Sequence, residues 1–167
     1  SPKKFYSSET DVYQKGLGKQ NLGLAMRSLS DSRREKINEF LKEFNIPYEI
    51  DIKDLGDINT GPLISLQLKD LRNNVVITPK DVGFGIGQVL PIIFEAVVSD
   101  KNNICVEQPE IHLHPRLQAH LADLFIDSVE SGKNQWIVET HSEALMLRIQ
   151  RRIREKRISK EMISVLY

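Results

Sequence analysis

Ile104-Cys105-Val106-Glu107-Gln108-Pro109-Glu110-Ile111-His112-Leu113-His114-Pro115 begins as an apolar run and ends in a dense polar cluster. That pattern predicts a buried strand over 104–107 that delivers acids and imidazoles at its C-terminal tip. In open α/β sheets, ligands bind outside the carboxyl ends of the strands. A second apolar run, 135–139, ends the same way in Glu139-Thr140-His141-Ser142. The two tips are expected to lie side by side and form half of a nucleotide site.

Outward from this stretch, Pro115 opens a helix with Leu117, Leu121, Leu124, Phe125 and Val129 on its apolar face. Gly132-Lys133-Asn134 ends it, and Ser142 is placed to cap the helix that holds Leu145, Leu147 and Ile149. Residues 163–167 read as a last strand. Upstream, Val82-Gly83-Phe84-Gly85-Ile86-Gly87-Gln88 leads into an almost wholly apolar helix. Pro91 belongs in a first turn, so this helix is expected to begin near Gly87 or Gln88. From residue 82, helices and strands alternate, the mark of a parallel sheet with covering helices. A glycine-rich loop before a helix presents backbone N–H groups to an anion. The same glycines equally suit a tight turn against a buried helix.

Residues 30–78 have another style. Asp31 or Ser32 is placed to cap a helix, with Glu35 at capping-box distance from Ser32. Ile37, Phe40, Leu41 and Phe44 form its apolar face, and Pro47 stops it. Tyr48, Ile50 and Ile52 alternate with Glu49, Asp51 and Lys53, as in a half-buried strand. Residues 63–68 and 75–78 follow as strands, joined by a hairpin turn at Asn73-Asn74. Two regions are therefore expected: 1–80, a helix plus a small antiparallel β region, and 81–167. Residues 1–29 give little. Lys15-Gly16-Leu17-Gly18-Lys19-Gln20 is no P-loop, because no strand is read before it and Gln20 stands where GxxxxGK[ST] needs a hydroxyl.

Composition sets bounds. The 167 residues carry 23 basic and 23 acidic side chains, so net charge suggests neither nucleic acid nor membrane. No run approaches the roughly 20 apolar residues of a membrane span, and no signal peptide is evident. The one cysteine, Cys105, reads as a small buried hydrophobe in a reducing, cytoplasmic setting.

The chemistry concentrates at the strand tips. Glu107 is an oxygen ligand of the kind Mg²⁺ shares with phosphates. Gln108 is placed to orient a water, Glu110 to take its proton, and His141 to bond a γ-phosphate or that water. Such positioning and charge stabilisation are what phosphoryl transfer needs. Other readings stay open. His112, His114 and His141 with a glutamate could bind a transition metal as a hydrolase site. The first two could instead be structural, bonding backbone in a tight turn. His141 beside Ser142 is not triad geometry, and His120 reads as a surface or satisfied residue. Arg148, Arg151, Arg152, Arg154, Lys156, Arg157 and Lys160 form a basic run, either a solvated helix face or a contact for nucleic-acid phosphates.

Taken together, VEQPEIHLHP and the later ETHSE resemble the C-terminal part of an ATP-binding-cassette-type AAA-family ATPase of the OLD/RecF/SMC-like branch. The resemblance covers about residues 81–142. It implies a partial P-loop NTPase sheet, ATP and Mg²⁺ as ligands, and a homodimer formed through the signature motif. By that resemblance Gly83, Gly85, Gly87 and Gln88 lie in the signature, which reaches the partner's nucleotide. Residues 104–107 match the Walker B strand, with Glu107 at the Mg²⁺-associated acid and Gln108 at the catalytic glutamate. His112-Leu113-His114-Pro115 matches the D-loop, and His141 the switch histidine. The signature serine is replaced by glycine, Gln108 is no base, and no Walker A is seen. The expectation is a piece of a longer ATPase, nearly inactive alone, with DNA repair or anti-phage defence as its setting. A non-catalytic dimerisation module is the alternative.

Overall fold

The computed structural model describes residues 4–6, 29–54, 64–79 and 81–166. Among the described residues, three strands make a parallel sheet in the order β1 (Lys4–Tyr6), β5 (Asn103–Glu107), β6 (Gln135–Glu139). In register, Tyr6 lies beside Val106, and Glu107 lies beside Glu139. β1 was not read from the sequence: three residues are too few to show a period. It stands ahead of residues 15–20, where no strand was expected; those residues and 56–62 lie outside the described ones.

Among the described residues, three helices accompany this sheet: α2 (Phe84–Val98), α3 (Pro115–Gly132) and α4 (Glu143–Arg154). α1 (Asp31–Glu43) precedes an antiparallel sheet of β2 (Tyr48–Asp54), β3 (Ile64–Asp70) and β4 (Val76–Ile77). The α/β class and the separate small sheet thus stand as expected. The hairpin closes where Asn73-Asn74 predicted it: Asn74 is left-handed at φ 59°, and Asp70 N–H donates to the Val75 carbonyl.

An apolar cluster joins these elements. Ile37, Phe40, Leu41 and Phe44 of the α1 region meet Leu68 of β3, Val89, Leu90, Ile93 and Phe94 of α2, and Leu121, Leu124 and Phe125 of α3. Burying such side chains contributes about 1.5–3 kcal/mol each. α3 takes its expected face, with Pro115 in its first turn and left-handed Lys133 at its C-cap. Behind it, buried Asn134 bonds the Ser99 carbonyl, the Ser128 hydroxyl and the Asn102 N–H. On α4, Leu145 is buried while Leu147 is exposed, since residues two apart point to different faces of a helix.

Four expectations need correction. α2 begins at Phe84, so Pro91 lies well inside the helix, and its missing N–H forfeits the bond to the Gly87 carbonyl. The N-cap of α1 is Ser30; Asp31 and Ser32 lie in its first turn, and the Ser30 carbonyl accepts from Arg33 and Arg34. Cys105 is half-buried. Residues 163–166 form no strand, because their apolar alternation finds no ladder partner among the described residues. Among the described residues, no helix is long and apolar enough to cross a membrane.

Candidate functional site

The tips of β5 and β6 are tied by two hydrogen bonds from the main chain. Gln108 N–H donates to the Glu139 carbonyl at 2.7 Å, and His141 N–H donates to Glu110 Oε1 at 2.7 Å. Between them lies an open cleft of about 540 Å³ whose lining includes Gln108, Glu110, His112, Gln118 and His141. The chain turns sharply here. Gln108 and His112 adopt left-handed φ of 44° and 61°, which costs a non-glycine residue about 1–2 kcal/mol. Leu113 N–H closes the turn onto the Glu110 carbonyl.

The candidate side chains differ in what they are free to do. Glu107 is exposed, and its carboxylate has no hydrogen-bond or ion-pair partner among the described residues. Glu139, its register neighbour, is also exposed. Two carboxylates side by side repel, and a divalent cation relieves that repulsion. Glu139 went unnoticed in the sequence because its proximity to Glu107 comes only from strand register. An unpaired, exposed carboxylate fits Mg²⁺, which takes oxygen ligands and keeps several waters.

His141 is exposed, and its imidazole has no partner among the described residues; Gln108 likewise keeps its side-chain amide uncommitted. Glu110 is the opposite case. It is 8% exposed, one oxygen is committed to the His141 main chain, and the other is buried without a hydrogen bond among the described residues. His112 is exposed. His114 serves as the N-cap of α3: its Nδ1 accepts from Arg116 N–H at 3.2 Å.

Ser142 caps α4 by accepting from Leu145 N–H, and its hydroxyl donates to Gln118 Oε1 at 2.7 Å. A buried, doubly bonded hydroxyl is no nucleophile. Gln118 also donates to the Leu113 carbonyl at 2.9 Å, so it stitches both tips to the first turn of α3. Nothing in the sequence singled it out, since a glutamine on a helix has no local signature. Among the described residues, no three His, Cys, Asp or Glu side chains are grouped to hold a metal ion, so His112, His114 and His141 are not gathered as a ligand set. His120 is satisfied away from the cleft: it packs on Phe44 with ring centroids 5.5 Å apart, and burial lowers its pKa.

Gly85 reaches the same turn from α2. A Cβ there would stand 2.8 Å from the His112 carbonyl oxygen, whereas one on Gly83 or Gly87 would meet no described residue within 4 Å. Gly83 caps α2 without a side-chain bond, and no acid lies in the first turn. The N–H groups at that helix end are therefore without a side-chain cap. Gln88 is half-buried one turn further on.

The basic run is largely paired. Arg148 and Arg152 both fork onto Asp123, Arg151 bonds Glu155, and Arg157 bonds Asp127 and Glu130. Arg154 and Lys156 alone lack a carboxylate partner among the described residues of that run.

A family model described as the AAA ATPase domain matches residues 4–146. The chain belongs to the AAA ATPase domain family. The match takes in β1, α2, the β5 tip and His141 in one span. This AAA ATPase domain is similar to a curated OLD nuclease of Thermus scotoductus, 29% identical over 86 residues, which are 49% of this chain and 16% of that protein. It also resembles an Smc head bound to the C-terminal winged-helix domain of ScpA, with a TM-score of 0.57, 12% identity, and coverage of 75% of this chain and 38% of that one. A chain from work on ATP-driven dimerisation and DNA-stimulated activation of SMC ATPases superposes with a TM-score of 0.53 at 15% identity, covering 75% of this chain and 76% of that one. At such identities the likeness shows a shared fold. The chain thus spans about a sixth of the curated relative and well under half of the Smc head.

Proposed function

We propose that this AAA ATPase domain contributes one wall of an ATP-hydrolysing site, with other segments holding most of the triphosphate. The observation that carries the reading is the pinning of the β5 and β6 tips, which places Gln108 and His141 on one cleft directly after Glu107. Glu107, with Glu139 in register beside it, would hold Mg²⁺ through water. The metal supplies charge neutralisation at the phosphates when bound. Gln108 orients the attacking water but takes no proton from it. His141, whose imidazole is exposed and has no partner among the described residues, donates a hydrogen bond to the terminal phosphate. The N-terminus of α2, at Gly83 and Gly85, offers its first N–H groups to a nucleotide on a second copy, in a homodimer; Gly87, whose N–H bonds the Gly83 carbonyl, and Gln88 stand in the turn behind them. We further propose a setting in DNA repair or phage defence, in the cytoplasm; the nuclease among the relatives supports a role on DNA.

The purified 167-residue chain is expected to turn over ATP no faster than a protein-free control. Joined to a segment bearing GxxxxGK[ST], it is expected to show Mg²⁺-dependent turnover that falls at least tenfold on His141→Ala. Turnover by the chain alone, lost on that substitution, would show that the wall is already a complete site. Unchanged turnover in the joined His141→Ala protein would end the assignment to His141.

One observation favours a non-catalytic reading: neither Gln108 nor buried Glu110 is a free base. Turnover absent from the joined protein, with Mg-ATP-dependent dimerisation retained, would select it. As for nucleic acid, two unpaired cations on α4 and just beyond it support only a weak phosphate contact. Titration of duplex DNA against salt is expected to give a log–log slope no steeper than about −2. A much steeper slope would mean that the Asp123 and Glu155 pairs open on binding.

A further inference from the structure

Resting on the reading above, we propose that Glu110 is a positioning residue that holds His141 at the β5 tip, and not the proton acceptor its place in the cleft first suggests. A general base must meet the attacking water with a free oxygen. Glu110 has one oxygen bound to His141 N–H at 2.7 Å and the other buried, in a side chain only 8% exposed. Keeping a carboxylate in such a place is costly unless its geometry is used. The use is visible. Glu110 is anchored in its own turn, where its carbonyl accepts from Leu113 N–H at 3.0 Å and from the Gln118 amide at 3.4 Å. Gln118 in turn accepts from the Ser142 hydroxyl, one residue after His141. The His141 main chain is therefore gripped on both sides, by a carboxylate from the β5 turn and by a helix cap tied to α3. The imidazole itself is left free, as a residue that reports on phosphate requires. The link also runs backward: a shift of the turn that carries His112 and His114 moves Glu110, and with it His141.

Glu110→Gln separates the two roles, because a glutamine keeps an acceptor oxygen for His141 N–H but cannot take a proton. Glu110→Ala removes both. The first readout is hydrogen exchange at the His141 amide in the 167-residue chain, with Leu121 and Leu124 amides of α3 as the folding control. Exchange is expected to be slow in the native chain, within about threefold of it in Glu110→Gln, and at least tenfold faster in Glu110→Ala. If Glu110→Ala does not fold, Glu110→Asp, one methylene shorter, replaces it with the same expectation. The second readout is turnover in the joined protein described above. Glu110→Gln is expected to retain kcat within about threefold, and the shortened variant to lose at least tenfold in kcat with KM for ATP little changed. Equal loss of kcat in Glu110→Gln and Glu110→Ala would restore the base and overturn the proposal. Unaltered exchange at His141 in the shortened variant would overturn it without reference to ATP. The site assignment fails separately, with the exchange result intact, if His141→Ala leaves turnover unchanged.

Discussion

Gly85→Ala is expected to lower stability by about 1–2 kcal/mol, while Gly87→Ala, two residues along the same helix, is expected to raise it by a few tenths. Two opposing effects meet at each position. Replacing glycine by alanine in a helix gains up to about 1 kcal/mol, less in the first turn. Overpacking a tight contact costs about 1–3 kcal/mol. At Gly87 no atom of the described residues stands within 4 Å of the new methyl group, so only the gain remains. At Gly85 the methyl would sit 2.8 Å from the His112 carbonyl oxygen and 3.1 Å from Leu113 Cδ2. The leucine can swing away, but the carbonyl belongs to a left-handed residue in a closed turn and cannot. The clash wins. Thermal melts of the two variants and the native chain measure this directly: a fall of about 3–6 °C for Gly85→Ala and a rise of about 1 °C for Gly87→Ala. Equal shifts in the two variants would mean that α2 and the β5 turn are not in contact. The amides of Gln108 and His112 should also move in an NMR spectrum of Gly85→Ala and stay put in Gly87→Ala. Shape thus decides between the two readings of the glycines at Gly85, which lets a helix press on the turn. Gly83, at the open helix end, keeps the anion reading.

Much of this was legible in the sequence where one physical pattern dominates. The alternation of Tyr48, Ile50 and Ile52, the apolar face of α3, the cap at Ser142 and the strands ending at Glu107 and Glu139 are all local patterns that tertiary packing reinforces. The α2 start was misread for a sound local reason: Pro91 breaks helices. A helix buried along Val89, Leu90, Ile93 and Phe94 recovers more from packing than the proline costs. Residues 163–166 failed the other way, since strand propensity without a partner makes no strand. At the site, residue types announced the chemistry but not who is free to perform it. Glu110, His114 and Ser142 are polar and clustered, yet their capacity is spent on Glu110–His141, His114–Arg116 and Ser142–Gln118. Glu139 and Gln118 join the site through register and helix packing, which leave no mark in a string of letters.

The same lesson about spent capacity governs the basic helix. Asp123→Ala is expected to cost about 2–3 kcal/mol. Asp123 accepts from Arg148 Nη2 at 2.7 Å and from Arg152 Nε at 2.6 Å, so one carboxylate ties α4 to α3 through two guanidinium groups. Removing it leaves two half-buried cations facing each other. Breaking a buried pair costs about 3–5 kcal/mol, and the remaining solvent contact of Asp123 brings that down. Arg148→Ala should cost less, because Arg152 still neutralises the acid. pH supplies an independent check. Burial pushes the Asp123 carboxyl up, but hydrogen bonds from Arg152 and Arg148 outweigh it and hold the pKa below the usual carboxylate value. A depressed folded pKa contributes stability that is complete above the unfolded value, about 3.9, and is lost as pH falls through the folded one. The gap in stability between the native chain and Asp123→Asn is therefore expected to be constant near neutrality and to shrink only below about pH 4. Denaturant melts across pH 3–7 measure it. A gap that is flat to the acid end would mean that the arginines grip something other than the charge. A gap that closes in molar salt at pH 7 would mean that the pair sits in the solvent-screened regime of Arg157 and Glu130.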